Sequence, residues 1–105
     1  MKEVTCSELK KMMDSEEDFQ LIDVREEHEA DIASIGGELI PMGEVMENLD
    51  KIFRDKKVIV YCRSGNRSGV ITQALEKQHG FTNIFNLKGG ILAWSDEIDT
   101  TMTKY

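Results

Sequence analysis

No apolar run in this 105-residue chain approaches the ~18 residues of a membrane-spanning helix. The N-terminal stretch MKEVTCSELKKMM has no apolar core of the kind a secretory signal carries. A cytoplasmic protein with no membrane partner is the expectation. Cysteine and histidine are scarce, at two residues each, and no C-x-x-C or close histidine pair occurs, so no metal site and no cofactor are expected. In a reducing compartment Cys6 and Cys62 stay unpaired thiols. A formal net charge of −7 disfavours nucleic acid as a partner.

A second absence is local. Residues 14–31 carry nine acidic side chains and one arginine, whereas residues 56–75 carry no acidic residue and four basic ones, Lys56, Lys57, Arg63 and Arg67. Chance clustering is one explanation. A pocket for an anion is the sharper one, and Cys62 lies inside that window.

A 40% apolar and 31% charged composition is that of a globular domain long enough for its own core. One domain over residues 1–105 is expected, with an ordered core of about 4–97 and a polar tail, DTTMTKY, left frayed. Thr5-Cys6-Ser7-Glu8 has the form of a capping box, so a helix starts near Cys6 and turns Leu9, Met12 and Met13 inward. FQLIDV has the length of a buried strand, REEHEADI is helix-compatible, and ELIP reads as a brief strand stopped by Pro41, the only proline. GEVMENLDKIF would place Val45, Met46, Leu49, Ile52 and Phe53 on one helical face. KVIVYC is the strongest strand signal, with Cys62 as its last residue. A helix from Arg67 to Gln78 would bury Val70, Ile71, Ala74 and Leu75 and stop at Gly80. NIFNL is a further strand, KGG a tight turn, and ILAWSDEI a last helix. This alternation predicts an α/β fold with a mostly parallel central sheet flanked by helices on both faces.

In such a sheet, ligands bind at the carboxyl ends of the strands, which is where VIVYCRSGNRSG places Cys62. Gly65 permits a backbone conformation closed to most residues, and Asn66 tolerates the left-handed region. The loop can therefore wrap the sulfur with its N–H groups turned inward, backed by the positive N-terminus of the following helix. Cations and helix N-termini lower a cysteine pKa from about 8.5 to between about 3.5 and 7.5 and make it a nucleophile. Arg63 and Arg67 keep their charge and suit an anionic substrate. The competing account of Cys62 is an inert cysteine at a strand end, which leaves the glycine, the arginines and the missing acids without a reason.

YCRSGNRS resembles the active-site loop of the rhodanese domain. LIDVREEHE at 21–29, GELIPMGEV at 37–45 and LKGGILAW at 87–94 are similar to that family's other motifs, in its order and spacing, so the resemblance runs from about residue 5 to 97. One departure is Ser34-Ile35, where the family commonly has histidine-isoleucine; that histidine is not the nucleophile.

The resemblance implies a sulfurtransferase. Cys62 would take sulfane sulfur from thiosulfate or a related small anionic donor, hold it as a persulfide, and pass it to cyanide or a thiol, with a protein acceptor as a further partner. Backbone N–H groups from Arg63, Ser64, Gly65, Asn66, Arg67 and Ser68 would stabilise the negative sulfur, and the two arginines would orient the donor. Ser64 and Ser68 either donate toward the sulfur or cap the helix. Asp23 and Arg25 would brace the loop; the alternative is a surface salt bridge of Arg25 with Glu26 or Glu29, which contributes little. Cys6 reads as a helix-start residue rather than a resolving thiol. A non-turnover persulfide carrier or an interaction module remains a second class of function. Arsenate reductases and phosphatases of similar fold carry a loop one residue longer, with arginine at the position where this chain has Ser68, so the C-x₄-R spacing here favours sulfur.

Overall fold

The computed structural model describes residues 1–105. The strands are β1 (Glu3–Val4), β2 (Phe19–Asp23), β3 (Glu38–Leu39), β4 (Lys57–Tyr61) and β5 (Ile84–Leu87), and the α-helices are α1 (Cys6–Asp14), α2 (Glu27–Ile32), α3 (Asn66–His79) and α4 (Gly90–Glu97). All strand pairs are parallel, in the order β1-β5-β4-β2-β3. This is the α/β architecture that the strand–helix alternation predicts.

Central β4 divides two cores by simple alternation, because successive side chains of a strand point to opposite faces. Val58 and Val60 join Ile22, Val24, Ile71, Leu75 and Phe81 on the face covered by α3. Ile59 and Tyr61 join Leu9, Met12, Ile91 and Trp94 under α1 and α4. The same alternation, carried one step past the end of β4, sends Cys62 to the α3 side. β2 is in register beside it, with Asp23 opposite Tyr61, so both strands deliver their following residues to one edge.

Helix α1 begins as the capping box indicates: the Thr5 hydroxyl accepts from the Glu8 N–H at 3.1 Å, and the Thr5 N–H donates to Glu8 Oε1 at 2.8 Å. Gly80, at φ 69°, ends α3 as a C′ glycine should.

Three local expectations are corrected, and one strand forms that no sequence pattern indicates. Residues 43–53 do not form one α-helix but two 3₁₀ turns, Met42–Glu47 and Leu49–Lys51. With about three residues per turn, the 3.6-residue face no longer applies: Val45 and Ile52 are buried, while Met46 and Phe53 stand 39% and 47% exposed. Val70 is 56% exposed, because α3 is rotated to bury Ser68, Gly69, Ile71, Thr72 and Leu75; that rotation brings Ser68 against Cys62. Strand β1, two residues long, carries no periodicity to find. It nonetheless pins β5, accepting at Lys2 O from Asn86 N (3.0 Å) and at Val4 O from Lys88 N (2.9 Å). The tail is not frayed: Tyr105 hydrogen-bonds to Arg25, Glu29 and Arg63.

Candidate active site

Cys62 follows the last residue of β4 and lies 1% exposed. Gly65, at φ 99°, is the N-cap of α3 and has no side chain with which to cap it. The orphan N–H groups of a helix start need an acceptor, and here the sulfur supplies it. Cys62 Sγ accepts from Gly65 N at 3.1 Å and from Ser68 N at 3.4 Å, with Ser68 Oγ at 3.3 Å. Burial alone pushes the thiol up. The Ser68 hydroxyl and the N–H groups of Ser68, Gly65 and Ser64 outweigh it and leave Cys62 below its ordinary value. Cys6 is the contrast: burial, with some help from the charge of Glu97, pushes it up to about 11. One thiol is prepared to ionise and the other is held neutral.

The inward turn of the loop depends on α4. The N–H groups of Ile91 and Leu92 donate at 3.0 Å to the carbonyls of Cys62 and Arg63. A Cβ on Gly90 would lie 2.5 Å from Arg63 O and 2.6 Å from Cys62 O, so no side chain fits between helix and loop. Fastening the carbonyls on the outside leaves N–H groups on the inside, a cradle for negative charge.

The remaining residues singled out in the sequence divide into three groups. Ser64 and Asn66 are exposed and form no side-chain hydrogen bond; what Ser64 presents to the sulfur is its backbone N–H. Arg63 and Arg67 flank the loop with their guanidinium groups engaged. Arg67 makes a fork with Glu29 of α2, Nη1 to Oε1 at 2.7 Å and Nη2 to Oε2 at 2.8 Å. Arg63 Nε donates to the main-chain oxygen of Tyr105 at 2.6 Å, with the Tyr105 ring 5.1 Å away. Arg25 is fully buried rather than at the surface, gripping both oxygens of Asp23 (2.9 and 2.7 Å), the carbonyls of Glu29 and Ala33, and the Tyr105 hydroxyl. Asp23 and Arg25 thus hold the segment from 29 to 33, and they reach the Cys62 loop through Glu29 and Arg67. Ser34, at the histidine position of the motif, caps the Gly36 N–H at 3.0 Å.

Three participants escaped the sequence reading. Glu29, which the sequence offers only as a surface partner for Arg25, is buried, and its carboxyl is held at about 2, chiefly by the Arg67 hydrogen bonds, which with the Glu26 N–H and the Tyr105 hydroxyl outweigh burial. Asn86, the lone buried polar residue of β5, accepts from Ser68 Oγ at 2.6 Å and donates to Gly65 O at 3.2 Å; a polar side chain in the apolar run NIFNL was the available signal. Tyr105, in a polar tail, offered none.

The model of the rhodanese-like domain matches residues 5–97. YtwF of Bacillus subtilis, named as a sulfurtransferase, is 36% identical over 98 residues, covering 92% of this chain and 93% of that protein. MoeZ of Mycobacterium tuberculosis, named as an adenylyltransferase/sulfurtransferase, is 37% identical over 105 residues; the match covers 97% of this chain but only 26% of MoeZ. A crystal structure of a rhodanese-related protein from Thermoplasma volcanium has a TM-score of 0.82 at 32% identity, covering 93% of this chain and 94% of the other. Motif order, fold and relatives converge: this chain belongs to the rhodanese-like sulfurtransferase family.

Proposed function

We propose that the protein moves sulfane sulfur from thiosulfate, or a donor of the same anionic class, to cyanide or a thiol through a persulfide on Cys62. The observation that carries this reading is the ring of N–H donors on one sulfur, Gly65 N at 3.1 Å and Ser68 N at 3.4 Å, which favours an ionised nucleophile. In the first step the Cys62 thiolate attacks the outer sulfur of thiosulfate. A new S–S bond forms, the donor's S–S bond breaks, and sulfite leaves with the electron pair. The enzyme keeps a persulfide anion, whose charge faces the same donors. In the second step cyanide attacks the outer sulfur and leaves as thiocyanate, returning the thiolate. Atoms and electrons balance without an external oxidant. Arg63 would receive the donor's anionic oxygens by exchanging its contact to the Tyr105 main-chain oxygen, and the Arg67 charge, anchored by Glu29, would add field at the loop.

A persulfide carrier serving a protein acceptor is a second reading. It is favoured by the depth of Cys62 and by the engagement of Arg63 with Tyr105, an arrangement that a docking partner could open. The C-x₄-R loop supports sulfur over phosphate or arsenate in both readings.

The test is incubation with thiosulfate followed by intact mass. A gain of one sulfur atom, removed by cyanide and absent in Cys62→Ser, is expected, and an aryl phosphate should stay unhydrolysed. Sulfur found on Cys6 instead would overturn the assignment. Negligible turnover with every small acceptor, but fast transfer to one protein, selects the carrier.

A further inference from the structure

Ser68 Oγ stands between two acceptors with one proton to give. Asn86 Oδ1 is 2.6 Å away and Cys62 Sγ 3.3 Å. The orientation of the Asn86 amide follows from its other end. Gly65 O, 3.2 Å from Nδ2, is a carbonyl and can only accept, so the group facing it is the NH₂. The group facing Ser68 is therefore the amide oxygen, which also only accepts. The hydroxyl proton consequently points to Asn86 while Cys62 is neutral, and the thiol S–H can point to the free lone pair of Ser68 Oγ.

The pocket is built for this amide. Gly65 and Gly69 flank it, and a Cβ on either would come within 3.7 and 3.4 Å of Nδ2. Ser68 and Asn86 are both buried, so water does not substitute for either partner. β5 is held at this point by the Asn86 N–H on Lys2 O, and β4 and β5 pair through Val60 and Asn86.

We propose that Asn86 is a positioning residue for Cys62: its side-chain oxygen competes with the sulfur for the Ser68 hydroxyl proton, so that ionisation of the sulfur requires this hydroxyl to turn away from Asn86. The backbone N–H groups of Gly65 and Ser68 supply the standing stabilisation, the Ser68 hydroxyl adds to it once it has turned to the sulfur, and its bond to Asn86 moderates that addition. Moderation has a chemical use, because the nucleophilicity of a thiolate falls as its pKa falls. A sulfur that surrendered its proton too easily would attack slowly. When the charge moves to the outer sulfur of a persulfide, the hydroxyl can return to Asn86. The inference rests on the sulfur-transfer reading for this bearing on turnover. The ionisation itself can be read with no sulfur donor present, so the two can fail separately.

The charged and titratable groups around the loop are Arg67 of α3, coupled to the Cys62 charge, its partner Glu29 of α2, Arg63 of the loop with Tyr105 of the tail, and the Asp23–Arg25 pair after β2. None is altered in the variants below, so their contributions cancel.

The experiment is the pH dependence of iodoacetamide alkylation at Cys62 in wild type, Asn86→Ala, Ser68→Ala and the double variant, all carrying Cys6→Ala, with thermal unfolding as the fold control. Removing Asn86 Oδ1 frees the hydroxyl for the sulfur, and the alkylation midpoint should fall by about 0.7 pH units, a roughly five-fold gain in the thiolate-to-thiol ratio, the size of one net hydrogen bond. In the Ser68→Ala background the Asn86 substitution should shift nothing. A shift of equal size in both backgrounds would show that Asn86 acts through Gly65 and loop shape alone, and no shift in either would remove the competition; each overturns the proposal. Should Asn86→Ala fail to fold, the S–H stretch of Cys62 in the Cys6→Ala protein below its midpoint gives the answer. A hydrogen-bonded frequency that becomes free in Ser68→Ala is expected, and a free S–H with Ser68 intact would overturn the proposal.

Discussion

Replacing Glu29 by glutamine removes one charge from the side chain that ties α2, α3 and the tail together, and the structure sets the size of the effect. Its two oxygens accept the Arg67 fork at 2.7 and 2.8 Å, the Glu26 N–H at 3.1 Å and the Tyr105 hydroxyl at 2.9 Å. Led by the Arg67 bonds, these hold its carboxyl at about 2 against an ordinary value of 4.5. A carboxylate whose folded-state pKa is depressed stabilises the protein fully above its unfolded value and loses that contribution as pH falls through the folded one. The window here runs from about pH 4.5 down to about 2. At ~1.36 kcal/mol per pH unit the ceiling is about 3.4 kcal/mol. Water screens the Arg67 side chain, which is 35% exposed, so about 2 kcal/mol is the expected loss. Glu29→Gln should therefore be about 2 kcal/mol less stable than wild type at neutral pH and should converge on it near pH 2. Urea unfolding of both proteins across that range measures the difference directly. Two curves that stay parallel into acid, the variant keeping the wild-type slope, would show that the fork does not lower the Glu29 carboxyl and would refute the reasoning.

Two further outcomes follow from distances already given. Gly90→Ala forces a methyl group to within 2.6 Å of two loop carbonyls at a backbone φ of 61°. It should cost more than about 2 kcal/mol and slow Cys62 alkylation at neutral pH, whereas wild-type behaviour in both would mean that the helix does not grip the loop. Tyr105→Phe removes the hydroxyl that joins Arg25 and Glu29 and should lower stability by about 1 kcal/mol in equilibrium unfolding; no loss would indicate that the tail does not bear on this site.

Legibility in the sequence followed how local each determinant is. The capping box at Thr5 and Glu8, the β-branched run of β4 and the C′ glycine at 80 act over a few residues, and each forms as its pattern requires. The Cys62 cradle was legible for a related reason: the strand end, the turn glycine and the first turn of α3 are contiguous. What was not legible was set by contacts distant in sequence. Val70 fits an amphipathic stripe, but docking Ser68 against Cys62 and Asn86 fixes the rotation of α3 and leaves Val70 outside. Glu29 and Arg67 are 38 residues apart and Tyr105 is 76 beyond Glu29; no periodicity links them. The turns at 42–51 failed for a different cause, since Asn48, whose side chain donates to Glu44 O at 2.7 Å, interrupts a pattern that suits a longer helix.

The grip of α4 on the carbonyls of Cys62 and Arg63 means that the loop is only half of a two-part device. Grafting residues 62–68 onto another strand–helix junction would transplant the amides without the fastening that keeps their opposite poles occupied. The freed carbonyls would be at liberty to roll inward, and an acceptor lining repels the charge that a donor lining welcomes. Success in such a graft should track whether the host supplies a second helix start behind the loop, more than how faithfully the seven residues are copied.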